Sequence, residues 1–298
     1  MTAVEHRCTA PDGRVIAVAE WGDPDGVPVI GLHGTPGSRL GHPVDLAGVR
    51  DAGVRLLTLD RPGYGESTRL PGRQVVDAAA DVAVVIGALG LGRVAVTGGS
   101  GGGPHALAAA WALPHRVVVA ECRVGIAPWD ADGLDWTCGM DPLNATEFGW
   151  AAEGEARLAA ELHRESLADV ERLDSDRPAV LGADRDLSQE DRERLERPEA
   201  LAVFEAELRE AHRPGVGGWI DDDLAFVRAW GFDPAEIRVP VLVRWGVHDV
   251  IVPAAHGAWL AGRIPTAEPH PEIAEGHVPE PAERVRQLAL LAERVRAA

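Results

Sequence analysis

The chain has 298 residues, a net charge of −18, 46% hydrophobic and 26% charged residues, the composition of a soluble globular protein. A surface this acidic repels phosphate backbones and anionic lipids, which argues against nucleic-acid and membrane partners. All basic residues apart from histidine are arginines and lysine is absent, so Schiff-base chemistry and the P-loop lysine are excluded.

No apolar run reaches the roughly 18 residues that cross a bilayer. The opening "MTAVEHRCTAPDG" has neither a basic nor an apolar region of a secretory signal, and a cytoplasmic location is expected. Cys8, Cys122 and Cys138 show no metal or disulfide spacing and read as reduced thiols.

In chain order, Val15–Glu20, Val27–Leu32 and Val54–Leu59 read as strands, with a helix expected over Arg39–Asp51. Gln74–Leu89 carries apolar residues at helical spacing (Val75, Val76, Ala79, Val82, Ala83, Ile86, Leu89). A strand at Val94–Thr97, a helix at Pro104–Leu113 and a strand at Val117–Gly125 follow. The alternation predicts an α/β fold, a mostly parallel sheet with helices on both faces.

The pattern changes after Pro128. Ala145–Leu173 and Ser188–His212 are rich in Ala, Glu, Arg and Leu, with Ser188 before "QEDRERL" as a helix N-cap. Residues 129–232 are expected to form a helical cap between two core parts, 1–128 and 233–298. Within it, "IDDDL" (Ile220–Leu224) reads as a helix N-terminus whose acids complement the dipole. The aromatics Trp136, Phe148, Trp150, Trp219 and Trp230 sit at a domain junction, with Trp129 just upstream. Trp129 and Trp136, with Gly34, are taken as substrate-binding candidates. The β/α rhythm returns with a strand at Val239–Trp245, a helix at Ala254–Ala261, a weak strand at Ala267–Ile273 and a closing helix at Pro281–Val295.

The stretch "VAVTGGSGGGPHALA" places Ser100 among glycines between a predicted strand and a predicted helix. Gly98-Gly99-Ser100-Gly101-Gly102 fits G-x-S-x-G in the context that pattern requires. Small residues two before and two after the serine avoid clashes across a tight turn. The hydroxyl is thereby raised above the sheet at a helix N-terminus. A nucleotide-binding loop is the competing reading. The missing lysine and the late position of this turn in the chain weigh against it.

A serine needs a base, and the base an orienting acid. Asp249 lies in the loop after the apolar strand "VLVRW", and His277 lies in "EIAEGHVPE" before the last helix. Both follow predicted strands, where α/β sheets place their sites. Asp130 or Asp132 is the alternative acid. His248 reads as a loop histidine, and His105, His256 and His270 as structural or surface residues. An oxyanion requires two backbone donors. The N–H of Gly101 is one candidate. The other comes from "HGTPGS", with Thr35 first and Gly34 as its alternative, while His33 braces the loop.

The blocks "HGTPGS", "LDRPGYGES", "GGSGGG", "WGVHDVIVP" and "EGHVP" occur in an order that resembles the α/β-hydrolase superfamily. They lie on both sides of the helical insertion, which is similar to that family's cap. The resemblance implies Ser100, Asp249 and His277 as a catalytic triad and Thr35 with Gly101 as the oxyanion hole. Dehalogenase and epoxide-hydrolase relatives carry Asp at the nucleophile position, so Ser100 argues against those activities. The proline-iminopeptidase branch is similar in "HGTPG" and "GGS". It differs at "DRPGYGES" and in having a bulky residue where this chain has Gly101, which is expected to leave room beside the nucleophile.

The expected activity is that of a serine hydrolase acting through an acyl-enzyme on an ester, lactone or thioester of a small, mostly apolar molecule. No metal or organic cofactor is called for, and a homodimer is compatible with the sequence. Two alternatives stay open. One is an iminopeptidase-like aminopeptidase, which needs cap acids such as Glu147, Glu153 or Glu155 aimed at a free amine. The other is a non-hydrolytic lyase or cyclase, or a ligand-binding protein, on the same fold.

Overall fold

The computed structural model describes residues 3–173 and 187–298; the part of the expected cap over 174–186 lies outside them. Its elements in chain order begin with β1 (Val4–Thr9), β2 (Val15–Gly22), β3 (Val27–Leu32), α1 (Leu46–Asp51) and β4 (Val54–Leu59). Then come α2 (Ala78–Ala88), β5 (Val94–Gly99), α3 (Gly102–Ala112) and β6 (Val117–Arg123). Five helices follow: α4 (Pro142–Glu153), α5 (Glu155–Leu173), α6 (Gln189–Leu195), α7 (Pro198–His212) and α8 (Gly217–Phe226). The chain closes with β7 (Val241–Gly246), α9 (Ala254–Arg263), β8 (Ala267–Glu272) and α10 (Pro281–Ala297).

Among the described residues the strands form one eight-stranded sheet in the order β1-β2-β4-β3-β5-β6-β7-β8. The β3–β8 part is parallel, and β2 pairs antiparallel with both β1 and β4. The fold class is therefore the expected one. The central strands are apolar on both faces because both are covered. Val18, Ile30, Leu57 and Val96 pack with Val82, Ile86 and Leu107 of α2 and α3 on one side. Val29, Leu56 and Ala95 pack with Val49, Leu288 and Leu291 of α1 and α10 on the other.

Two elements differ from the sequence expectation. The helix expected over Arg39–Asp51 begins only at Leu46, capped by Asp45, whose carboxylate accepts from the Gly48 N–H at 2.8 Å. Pro43 disfavours helix at His42. Arg39 is also drawn away to Asp60 and Glu210, at 2.7 and 2.6 Å. Strand β1 gave no apolar alternation to read, because among its six residues Cys8 alone is buried; pairing with β2 at the sheet edge makes it a strand.

Helices α4 to α8 lie in the insertion between β6 and β7. Helices α4, α5, α7 and α8 share an apolar cluster of their own, with Ala151, Leu158, Leu162, Ala211, Trp219 and Leu224 buried against Tyr64 from the core. Among the described residues no helix is long and apolar enough to cross a membrane.

Candidate active site

Strand β5 passes into α3 with two residues between them, and Ser100 occupies that turn with a φ of 53°. Left-handed backbone is costly for a residue with a Cβ and is held only where the surroundings impose it. Here the Ser100 N–H donates to the Arg123 carbonyl (3.0 Å) and the Ser100 carbonyl accepts from the Gly103 N–H (2.9 Å). A side chain at position 98 would overlap the Gly102 carbonyl, and one at 99 would overlap the Arg123 guanidinium. Gly101 departs from its expected role. Its missing side chain leaves no open room, because a Cβ there would run into Thr35 and Phe226.

Ser100 borders a cavity of about 440 Å³, and His277 borders the same cavity. Asp249 is buried in the loop after β7. Its Oδ1 accepts from the N–H groups of Ile251 and Val252, both at 2.9 Å, and its Oδ2 lies 2.9 Å from His277 Nδ1. A carboxylate can only accept, so Nδ1 carries the hydrogen and Nε2 is the free acceptor. Ser100 and His277 are not hydrogen-bonded to one another. Arg123 donates to the His277 carbonyl at 2.9 Å; burial, and next the charge of Arg284, bring its guanidinium down to about 10. The alternative acids Asp130 and Asp132 do not line the cavity.

The "HGTPGS" loop is fixed by a buried charge network that the sequence reading missed. Asp221, Asp222 and Asp223 do not start a helix: α8 begins at Gly217, and all three are buried within it. Asp222 accepts from the hydroxyls of Thr35 and Tyr64, each at 2.9 Å, from Arg73 at 2.5 Å, and from Arg61. Burial alone would raise the Asp222 carboxyl, but Arg61 and Arg73 outweigh it and hold it far below the ordinary range. Arg61 also donates to the carbonyls of His33 and Gly34. The Thr35–Pro36 peptide is cis.

His33 braces this loop: Nδ1 donates to the Gly34 carbonyl at 2.7 Å and Nε2 accepts from the Arg61 N–H at 3.0 Å. Burial, and then Arg61, push its pKa well below the usual value and keep it neutral. Buried His105, lowered to about 3 first by burial and then by Arg61, donates from Nδ1 to the Gly101 carbonyl at 2.7 Å. His256 bridges the Ala127 N–H and the Trp136 carbonyl. His248 faces Glu190 at 3.0 Å on the surface. No hydrogen bond among the described residues takes up the N–H of Thr35 or of Gly101.

A sequence profile of the alpha/beta hydrolase fold matches residues 27–120. The chain is 27% identical to a proline iminopeptidase of Neisseria gonorrhoeae, over 84% of this chain and 82% of the relative. Among solved structures it is similar to an esterase from Exiguobacterium antarcticum (TM-score 0.68, 21% identity, 98% of this chain and 100% of the other). It is also similar to an enol-lactonase from Burkholderia xenovorans LB400 (TM-score 0.66, 19% identity, 98% and 100%). The chain has the α/β-hydrolase fold. The helices of the insertion supply much of the cavity wall, through Phe148, Phe204, Glu207, Trp219, Asp223 and Phe226.

The wall differs from the sequence reading in three ways. Gly34 borders the cavity, but Trp129 and Trp136 do not. Trp136 is buried against Phe148 and His256, with its Nε1 donating to the Ala127 carbonyl at 2.9 Å. Of the three cap acids singled out, Glu147 borders the cavity, while Glu153 and Glu155 are exposed elsewhere. Glu147 accepts from Trp219 Nε1 at 2.7 Å and abuts the Asp223 carboxyl. Burial, and next the Glu147 charge, push Asp223 well above the carboxylate range. Glu207 was not anticipated. Burial pushes it up to about 7 at the cavity wall, where the Ser38 N–H lies 3.4 Å away. Its signal in sequence is faint, one glutamate among several on an amphipathic helix.

Proposed function

We propose that this protein is a serine hydrolase in which Ser100 attacks an acyl carbonyl with His277 as base and Asp249 as the orienting acid. The observation that carries the reading is the left-handed Ser100 at the strand-to-helix turn, on the same cavity as an imidazole whose Nδ1 is held by Asp249. His277 Nε2 takes the Ser100 proton and returns it to the leaving group; water activated by the same nitrogen then releases the acyl group. The Thr35 and Gly101 N–H groups bind the oxyanion. Residues 129–232 act as a cap over a core of 1–128 and 233–298.

The substrate class in this reading is an ester, lactone or thioester of a small, mostly apolar molecule. It is supported by apolar wall residues such as Ile126, Phe148, Ile251 and Val252 and by the esterase and enol-lactonase neighbours. A second reading, an aminopeptidase that anchors a free N-terminal amine, is favoured by the Glu147–Asp223 pair and by the iminopeptidase relative.

The test is labelling with a fluorophosphonate followed by intact-mass measurement. One adduct is expected on the native protein and none on Ser100→Ala; an unlabelled native protein refutes the reading. Turnover of short acyl esters against N-terminal proline amides then separates the two substrate classes. Labelling without turnover of either panel points to a lyase or cyclase on this fold.

A further inference from the structure

Helix α6 of the insertion reaches the loop that carries His277. Asp191, fully buried on the first turn of α6, points both carboxylate oxygens at two successive backbone N–H groups. Oδ2 accepts from His277 at 2.8 Å and Oδ1 from Val278 at 2.7 Å. Consecutive N–H groups aimed at one point make an anion-binding concavity, and here the protein fills it with its own carboxylate. Ser188 caps α6 through the Asp191 N–H at 3.2 Å and so fixes where that carboxylate points.

One turn later, Arg194 donates to the Val278 carbonyl and to Glu275. Arg197 closes a two-pronged pair with Glu280 at 2.9 and 2.8 Å. The peptide groups around residue 278 are therefore gripped from α6 at both the N–H and the C=O. Position 276 is moulded to the contact, since a Cβ on Gly276 would overlap Asp191 and Ser188. Asp249 fixes the imidazole, and Arg123 fixes the His277 carbonyl. Without Asp191, the N–H side of the His277 backbone has no anchor in this arrangement.

We infer that Asp191 is a positioning residue for His277, so that docking of α6 and assembly of the catalytic base are one event. The inference rests on the serine-hydrolase reading and extends it. Asp191 touches neither substrate nor the reacting atoms; it acts by holding the loop from which the imidazole hangs. A displacement of about 1 Å in such a group costs on the order of 100-fold in rate.

The test uses the full-length protein, comparing the rate constant and the amplitude of fluorophosphonate labelling with ester kcat and KM. Asp191→Ala should lower the labelling rate constant and kcat by roughly 100-fold, with full labelling amplitude and KM within about twofold. Asp191→Asn keeps one acceptor oxygen and should fall between, at roughly 10-fold. Gly276→Ala retains the aspartate but wedges it off the loop, and should lower the same rate constant with the fold intact. A reduced amplitude at unchanged rate constant marks a role in stability alone and overturns the inference. So does a native rate constant in Gly276→Ala. If the native protein does not label, the serine-hydrolase reading has failed; if it labels and the Asp191 variants label equally fast, only the present inference has.

Discussion

Asp222 and Asp191 both reach from the helical insertion to a loop at the carboxyl edge of the sheet, and they hold it by different physics. Asp222 sits in a charged cluster with Arg61 and Arg73, all buried, and its hold on Thr35 is one strand of that cluster. Asp191 meets neutral backbone dipoles. A charge buried among charges is expensive to disturb from either side, because removing one partner strands the others without water. A carboxylate on two N–H groups can be withdrawn with the loss of two hydrogen bonds. The loop bearing Thr35 is thus tied to the fold as a whole, whereas the loop bearing His277 is tied to the docking of one short helix.

The sharpest way to break this contrast is Asp222→Ala. It should destabilise the protein by about 3–5 kcal/mol in urea unfolding, the usual cost of stranding buried guanidinium groups. Asp191→Ala should cost clearly less stability while losing more rate per folded molecule. Equal losses would erase the distinction. The pH dependence follows from the depressed Asp222 carboxyl. Its stabilisation is fully present above the ordinary unfolded value of about 3.9 and is lost as pH falls through the much lower folded value. Mildly acidic solution should therefore leave the cluster intact.

A smaller effect is expected from Gly101→Ala. The added methyl meets Thr35 and pushes it against the Asp222 cluster, which should cost about 1–3 kcal/mol of stability. It should also slow acylation by shifting the Thr35 N–H. A fully stable and active Gly101→Ala protein would show that the Thr35 loop is looser than the cluster implies.

The smallest expected effect is at Glu207, a second acid with which the insertion meets the Thr35 loop, through the Ser38 N–H. Its folded pKa is raised to about 7. Its stabilising contribution is therefore present below the unfolded value of about 4.3 and lost as pH rises through about 7. Glu207→Gln should match the native urea midpoint near pH 4 and exceed it at pH 8. A variant less stable at pH 8 would mean that the carboxylate is compensated there.

Much of the core was legible because its signals are local. Strands β3, β4 and β5 announce themselves as short apolar runs, and the Ser100 turn shows in the spacing of its glycines. Asp249 and His277 were legible as polar residues immediately after strands. What escaped was set by packing at a distance. Strand β1 is defined by its partner, the "HGTPGS" loop by Asp222, which lies 187 positions beyond Thr35, and Trp136 by the burial of its indole in the core. Reading "IDDDL" as a helix start failed because three acids in a row ordinarily seek water; here three arginines from another segment, Arg61, Arg69 and Arg73, take up two of them, and the third is buried beside Glu147.

The sequence by itself determined the α/β layering, the strand-to-helix turn at Ser100 and the order of serine, acid and histidine, because each depends on residues close together along the chain. The tertiary structure alone decided that Asp249 faces His277, that Gly101 is filled by Thr35, that Glu147 and Asp223 meet in the cavity wall, and that Asp191 grips the His277 loop. Those contacts join segments separated by long stretches of chain. Only closure of the sheet and docking of the insertion bring them within hydrogen-bonding distance.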